Sequence, residues 1–412
     1  MDDKQAEWFR RNLKLGEDWR VDDIDYRVVP LSLSVHVRFA GRLACPICGA
    51  SCPGYDSRKR EWRDLDYGNS KCIVVAEIPR VRCKTCGIHE IEVPWAGKAS
   101  KLTLSLEQRI LYRIRNTPVS VVGKELRIFD RTIWNVIRHH SDMLMRELDL
   151  SGLRMFCIDE TSSEKGQNYV TSVIDPLCGS VVFATPGRDR SVLHEFRVWL
   201  IHHGGDPMKV EVVCCDMSPS YIRGVTETFP NAAIVFDPYH MIQAANAMLE
   251  DVRRKSGLKG KDAKGLRFGF IMNKEDLAEK PEYKEKIEEA LASYRDIGTA
   301  YAVKEALRDF YSIPDPVKAR IFLRLLTRYC LRSDQDDISK FGEMLDRHFL
   351  GIAAWHDHRI NNGYSEGTNS LIQSMKAYAR GYANVENMIS MIYLKCGTKH
   401  PSIRSALLPD GI

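Results

Sequence analysis

At 412 residues the chain has room for two to four domains, and a hydrophobic fraction of 44% is enough for ordinary packed cores. No run of eighteen apolar residues occurs, which argues against a membrane-spanning helix, and the opening Met1-Asp-Asp-Lys-Gln-Ala-Glu7 is polar and acidic, unlike a signal peptide. A net charge of +5 permits a nucleic-acid partner without requiring one, so the placement of the charge matters more than its sum. Twelve cysteines in a chain without a signal peptide read as thiols or metal ligands of a reducing cytoplasm rather than as disulfides.

Residues 1–97 are strand-like and punctuated by Gly and Pro, with alternating apolar and polar positions over Arg27 to Phe39 and again over Cys72 to Arg82. Pro94-Trp-Ala-Gly-Lys98 marks a boundary. Residues 98–150 change character. Leu104 to Ile114 has helical spacing, Ser120 to Leu126 is a short helix, and a turn at Arg127-Ile-Phe-Asp130 leads into a helix from Arg131 to Met145 with Asp130 as its N-cap. Ten Lys/Arg against five Asp/Glu make residues 98–147 net basic.

Residues 151–246 carry five strand candidates: Arg154–Asp159, Tyr169–Asp175, Ser180–Thr185, Val210–Asp216 and Ala232–Phe236. The first three form a meander, while the last two alternate with helices at Arg190–His202 and Ser220–Phe229, as parallel strands require. A mixed five-stranded sheet with flanking helices is the expected α/β result. Residues 247–347 are charged helix formers, and 348–412 turn through Asn361-Asn-Gly363 into a last helical stretch.

Four constellations carry chemistry. Cys45-Pro-Ile-Cys48 and Cys83-Lys-Thr-Cys86 are two CxxC knuckles, each followed by Gly; together they suit a closed, structural Zn²⁺ site, with Cys52 and Cys72 as spare thiols and a redox pair as the alternative. Ser120 to His140 has helix-turn-helix proportions. Arg131, Thr132, Asn135, Arg138 and His139 lie on its second helix, where they either face DNA bases or decorate an ordinary helical hairpin. Asp159 and Asp216 end runs of apolar residues, and Glu366 opens a helical pattern downstream. Either these are solvated and capping carboxylates, or they converge on one sheet edge to hold two divalent cations, Mg²⁺ or Mn²⁺, for phosphodiester chemistry. Asp237 and His240 follow the fifth strand as accessory candidates or as a helix cap and a half-buried core residue. Finally, seven Lys/Arg against one acid lie between Arg253 and Arg267. Arg253, Arg254 and Lys255, with Lys376 and Arg380 after Glu366, are candidate backbone contacts to DNA.

These residues together resemble the DDE transposases of bacterial insertion sequences of the ISL-three type over nearly the whole chain. The resemblance is carried by the two knuckles with Arg63-Asp64-Leu65 between them, by Ile158-Asp159-Glu160 followed by Lys165-Gly-Gln-Asn-Tyr169, and by Gly187-Arg188. Cys215-Asp216-Met-Ser218, Tyr221, Pro230-Asn-Ala232, Asn362-Gly363, Glu366-Gly367, Asn369 and Gly381-Tyr382 complete it. It departs from the family at Asp237-Pro-Tyr-His240, where Asp-Arg-Phe-His is frequent, at Gln373, where a Lys is common, and at Asp66, where Pro is usual.

The resemblance implies an RNase H-like core holding Asp159, Asp216 and Glu366 as a metal-binding triad, interrupted by an all-α insertion, with Asn369 a further accessory candidate. It also implies domains at 1–97 (zinc-binding), 98–150 (helix-turn-helix), 151–246 (first part of the core), 247–347 (insertion) and 348–412 (second part, with Glu366). Its expected function is cleavage and strand transfer at terminal inverted repeats and target DNA by a homodimer or larger assembly, in the cytoplasm at the bacterial nucleoid. The alternatives are a non-catalytic DNA-binding repressor with a degenerate nuclease core, and a nuclease without strand transfer.

Overall fold

The computed structural model describes residues 3–97, 100–163, 168–257, 266–272, 274–360, 363–382 and 384–403, with residues 363–366 described by their backbone alone. Two compact units result. The first draws on residues up to 143 together with 377–380, the second on 144–376 with 381–403.

The first unit opens with helix α1 (Asp3–Asn12) and a five-stranded sheet of β1 (Trp19–Val28), β2 (Leu31–Phe39), β3 (Gly54–Arg63), β4 (Lys71–Cys83) and β5 (Gly87–Glu90). The order is β1-β2-β4-β3, with β5 also on β4; β2 and β4 pair in parallel and the other pairs are antiparallel. The alternation over Arg27 to Phe39, expected as one strand, is two strands turning at Val29-Pro30. Proline has no N–H to give a ladder, so it sits in the turn while the alternation runs through it. Trp19, Trp62 and Trp95 meet edge to face beneath the sheet, with centroids 4.8 and 5.6 Å apart, over buried Val35, Val74 and Ile78.

Three helices follow: α2 (Leu104–Arg113), α3 (Val119–Leu126) and α4 (Asp130–Arg146). Thr103 caps α2 by accepting from the Leu106 N–H at 3.3 Å, and its hydroxyl donates to Asp64 at the end of β3. One side chain thus joins the sheet to the helices. Buried Glu107 and His140, 2.9 Å apart, tie α2 to α4. Asp130, expected as the N-cap of α4, is instead its first residue. A Cβ on Gly123 of α3 would lie 2.5 Å from the Asp130 carboxylate and 2.9 Å from the Ile128 carbonyl, so the close turn between these helices requires glycine.

The second unit is built on β6 (Met155–Ser162), β7 (Tyr169–Asp175), β8 (Ser180–Pro186), β9 (Val212–Cys215) and β10 (Ala233–Phe236), in the order β10-β9-β6-β7-β8. β10, β9 and β6 are parallel, and β6, β7 and β8 form an antiparallel meander, so the expected mixed sheet of the RNase H-like type is present. Its strands are buried on both faces, as a sheet covered by helices must be. Helices α5 (Ser191–His202) and α6 (Pro219–Thr228) cover one face, where Phe156 contacts Phe196 and Phe229 at 4.9 and 5.1 Å. The free edge of β8 is closed by Tyr393, whose hydroxyl accepts from the Ala184 N–H at 2.9 Å and donates to its carbonyl at 3.2 Å.

From β10 the chain enters α7 (Pro238–Lys255) and an all-helical segment. This comprises α8 (Leu266–Ile271), α9 (Lys274–Ala278), α10 (Pro281–Ser293), α11 (Arg295–Ser312), α12 (Pro316–Leu331) and α13 (Asp336–Arg347). These helices share a core running from Met241 to Leu345. The short α14 (Phe349–Ala353) returns to the sheet, where Gly351 packs so closely on the Phe236 ring that a Cβ would lie 2.4 Å from it. After α15 (Trp355–His358) comes α16 (Gly363–Ala379), then α17 (Val385–Ile392). The expected continuous last helix is broken where Arg380 and Gly381 take φ of +56° and +91°.

Candidate active site and DNA-binding modules

The strand register places the first two acidic candidates side by side. Cys157 of β6 pairs with Cys214 of β9, so Asp159 and Asp216, each two residues further on, come level with one another. Asp216 lies just past β9, whereas Asp159, expected to end its strand, lies within β6, which runs on to Ser162 against β7. Phe236 of β10 pairs with Cys215, which puts Asp237 next in the same row. Three carboxylates therefore line one end of three neighbouring strands. Asp216 accepts from the Ser218 N–H at 2.9 Å, and Asp237 accepts from the Tyr239 N–H at 3.0 Å, capping α7. Half-buried His240 stands 3.9 Å from Asp237.

Helix α16 closes the row from the other side. Its Asn369 donates an amide N–H to Asp159, and the Asn369 carbonyl accepts from the Thr161 hydroxyl at 3.1 Å. Lys376, two turns further along, donates to the Ser162 carbonyl. Residue 366 lies three positions before Asn369 in the same helix, hence on the same face. The Glu366 side chain itself lies outside the described residues.

Burial dominates the electrostatics. It pushes the Asp159 carboxyl up to about 6, against the stabilising Glu160 N–H, the His240 ring and Asn369, while the nearby Asp237 charge adds to the rise. Glu160 is raised by burial and by Asp216, with the Tyr221 hydroxyl and Arg188 acting the other way. Tyr221 bonds to Glu160 and lies 3.1 Å from the Thr171 hydroxyl, which donates to the Gly187 carbonyl at 2.6 Å. Arg188 stacks on Tyr169 at 4.5 Å. Neither Glu160 nor Thr161 stood out in the sequence as a site residue. A second carboxylate directly following Asp159 was the available signal. Carboxylates offer an all-oxygen donor set of the kind that Mg²⁺ or Mn²⁺ takes. Among the described residues, however, only Cys45, Cys48, Cys83 and Cys86 of the first unit bring three or more ligand atoms within 4.8 Å of one another.

In the first unit, the Sγ atoms of Cys45, Cys48, Cys83 and Cys86 all lie within 4.8 Å of one another. The first knuckle is closed by Gly49 N–H to Cys45 carbonyl at 2.9 Å, and the second is the β4–β5 turn, where Cys83 pairs with Gly87. Gly49 and Gly87 take φ of +74° and +90°, conformations a side chain would strain. Cys72 belongs to the sheet core, outside the group of four, and burial pushes its thiol up to about 12. Cys52 donates to the Ala50 carbonyl at 3.2 Å and stays outside the four.

On α4, Arg131, Asn135 and His139 are exposed, Thr132 and Arg138 are half-buried, and Ile133, Val136 and Ile137 face inward. Arg138 donates to the Asn135 side chain at 2.8 Å. The basic end of α7 is more engaged than its composition suggests. Arg253 forms a two-bond pair with Glu250 at 2.8 Å, Arg254 reaches the same carboxylate at 3.1 Å, and Lys255 pairs with Asp337 at 2.7 Å. Lys259, Lys261 and Lys264 lie outside the described residues. Arg380 is exposed beyond the end of α16.

A family model described as a transposase, of the ISL3 DDE type, matches residues 156–392, more than half of the chain. The chain belongs to the ISL3 transposase family. Two further models fit the preceding segments: the zinc-finger of transposase IS204/IS1001/IS1096/IS1165 at residues 42–86, and the helix-turn-helix domain of transposase family ISL3 at residues 91–141. The transposase for insertion sequence element IS1557 of Mycobacterium tuberculosis is 28% identical over 408 residues, covering 90% of this chain and 89% of that protein. The transposase for insertion sequence element IS1001 of Bordetella parapertussis is 25% identical over 368 residues, covering 86% and 89%. The four-cysteine cluster thus falls in a zinc ribbon of this transposase family, and its closed all-thiol donor set is that of a structural Zn²⁺ site.

Proposed function

We propose that this ISL3-family chain is an insertion-sequence transposase that binds terminal inverted repeats and cleaves and joins DNA at Asp159, Asp216 and Glu366. The observation that carries this reading is the in-register pair Asp159 and Asp216, with α16 brought against it through Asn369. The three carboxylates would hold Mg²⁺ or Mn²⁺. Such cations, when bound, lower the pKa of an attacking water or hydroxyl and stabilise the charge on the leaving oxygen.

The chain's own residues have separate tasks. Asn369 fixes the rotamer of Asp159 and leaves its second oxygen to the Glu160 N–H at 2.7 Å. Residues that hold ligands in this way typically matter tenfold to a hundredfold. Burial around Asp159 and Glu160 excludes water from one side of the row. His240 and Asp237, 3.9 Å apart, stand at the same end of the sheet, within reach of a bound phosphate. The helix-turn-helix and zinc ribbon supply end recognition, and Arg131, Thr132, Asn135 and Arg138 are the proposed contacts on α4. Lys376 and Arg380 lie after Glu366 on the same stretch of chain, where they can meet the DNA backbone. Two ends must be joined together, so a dimer or larger assembly on paired ends of nucleoid DNA is part of the proposal.

The test is cleavage of a labelled duplex taken from the DNA bordering the coding sequence, by wild type and Asp159→Ala, with Mg²⁺ and with EDTA. Metal-dependent cutting that vanishes in the variant is the expected result. Tight binding without cutting under any divalent ion overturns it in favour of a DNA-binding repressor.

A further inference from the structure

The turn between α3 and α4 presents Phe129 to solvent at 86% exposure, the highest of any aromatic side chain among the described residues. Looseness does not account for this, because the turn is pinned on both sides. Before Phe129, Arg127 holds the left-handed conformation (φ +54°), and its guanidinium pairs with Asp66 and donates to the Asn69 carbonyl at 3.1 Å. The Ile128 N–H bonds to the Gly123 carbonyl at 2.9 Å. After Phe129, the Thr132 N–H bonds back to the Phe129 carbonyl at 2.8 Å, and Ile133 is fully buried. A single exposed apolar side chain needs no explanation by itself. What singles out Phe129 is that a pinned turn holds it at the start of α4, beside the polar and basic face of that helix.

The surroundings say what covers it. Phe129 stands at the N-terminal tip of the stripe formed by Arg131, Asn135, Arg138 and His139, whose cations and amide suit a polyanion bearing hydrogen-bonding base edges. In a helix-turn-helix, the start of the second helix is the part that enters the major groove. The apolar feature a major groove offers there is the thymine C5-methyl group.

We propose that Phe129 is a specificity-determining residue whose ring packs on a thymine methyl in the recognised DNA. The proposal rests on the DNA-binding reading of the helix-turn-helix. Asp66 serves this arrangement by anchoring Arg127 and so fixing the turn.

The experiment selects bound molecules from a pool of short random-sequence duplexes with the full chain, as wild type and as Phe129→Ala. Each thymine in the selected motif is then replaced by deoxyuridine, which removes only the methyl group. Wild type is expected to lose about fourfold in affinity at one position, the factor associated with one buried methyl group. Phe129→Ala is expected to bind more weakly and to be indifferent to that replacement, while Phe129→Leu keeps part of the discrimination. Because the ring is exposed, the unfolding midpoint should not move. Equal deoxyuridine penalties in wild type and Phe129→Ala, or none in wild type, overturn the role of Phe129 while leaving DNA binding intact. Failure of wild type to enrich any sequence overturns the DNA-binding reading itself.

Discussion

The four-cysteine cluster and the carboxylate row bring like groups together by opposite routes. Each cysteine pair comes from one tight turn, and the two turns meet at one mixed sheet, beside its antiparallel β3, β4 and β5. The carboxylate row draws Asp159, Asp216 and Asp237 from three neighbouring strands, and the helix whose Asn369 bonds to Asp159 arrives only after the whole helical insertion. A local cluster can fold around its ion, so metal binding there is folding energy. A row assembled by the entire unit is instead a burden that the fold carries for chemistry, as the raised Asp159 carboxyl indicates.

The comparison predicts two opposite mutant phenotypes. Asp216→Asn should reduce cleavage by at least about a thousandfold, since losing a member of a charge-stabilising site costs on this scale, with end binding and thermal midpoint nearly unchanged. Cys83→Ser should release one zinc per chain, unfold the ribbon and abolish specific binding. Metal analysis with binding and cleavage assays on both variants decides this. Equal loss of binding and cutting in Asp216→Asn would make that residue structural. Unchanged zinc content in Cys83→Ser would remove the zinc assignment.

Asn369→Ala sharpens the contrast. It leaves all three proposed ligands in place yet frees Asp159 to rotate, so activity should fall tenfold to a hundredfold and recover in part at high Mg²⁺. A loss that Mg²⁺ does not relieve would mean that Asn369 only packs α16 on the sheet.

Both sites were partly legible in the sequence, for different reasons. The knuckles are short-range patterns, and Asp159 and Asp216 follow apolar runs long enough to identify buried strands, although β6 runs past Asp159 to Ser162 because its pairing with β7 continues there. What periodicity cannot carry is long-range pairing. The parallel contact of β2 with β4, and the bond of Asn369 to Asp159, depend on how distant segments pack. The β1–β2 hairpin was hidden because alternation continues through its turn.

Titration separates the two sites further. The Asp159 carboxyl is raised to about 6 in the fold from an ordinary value of 3.8. The folded state therefore holds a proton that the unfolded state has already lost, and stability of the metal-free protein should decline as pH rises through about 4 to 6. Asp159→Asn removes this burden. It should stabilise the metal-free protein above pH 6 by an amount on the order of 2–3 kcal/mol and have little effect near pH 4. Unfolding with EDTA across this range measures it, and a pH-independent difference would mean that the carboxylate is well solvated.

The smallest expected effect concerns the basic end of α7, where composition and structure pull apart. Composition suggests phosphate contacts, and each one lost should lower the salt slope of DNA binding by about one. The structure instead ties Arg253 to Glu250 through two bonds and Lys255 to Asp337. A cation already paired with a carboxylate releases less when it meets phosphate. Arg253→Gln and Lys255→Gln should then leave the salt slope unchanged, with little change in thermal midpoint. Arg254 is more exposed and shares its carboxylate with Arg253, so Arg254→Gln is the substitution that should lower the slope if this helix touches DNA. Binding measured from low to moderate salt distinguishes the three. A lower slope for Lys255→Gln would show that the Asp337 pair opens on DNA, and that the helical insertion tracks the backbone after all.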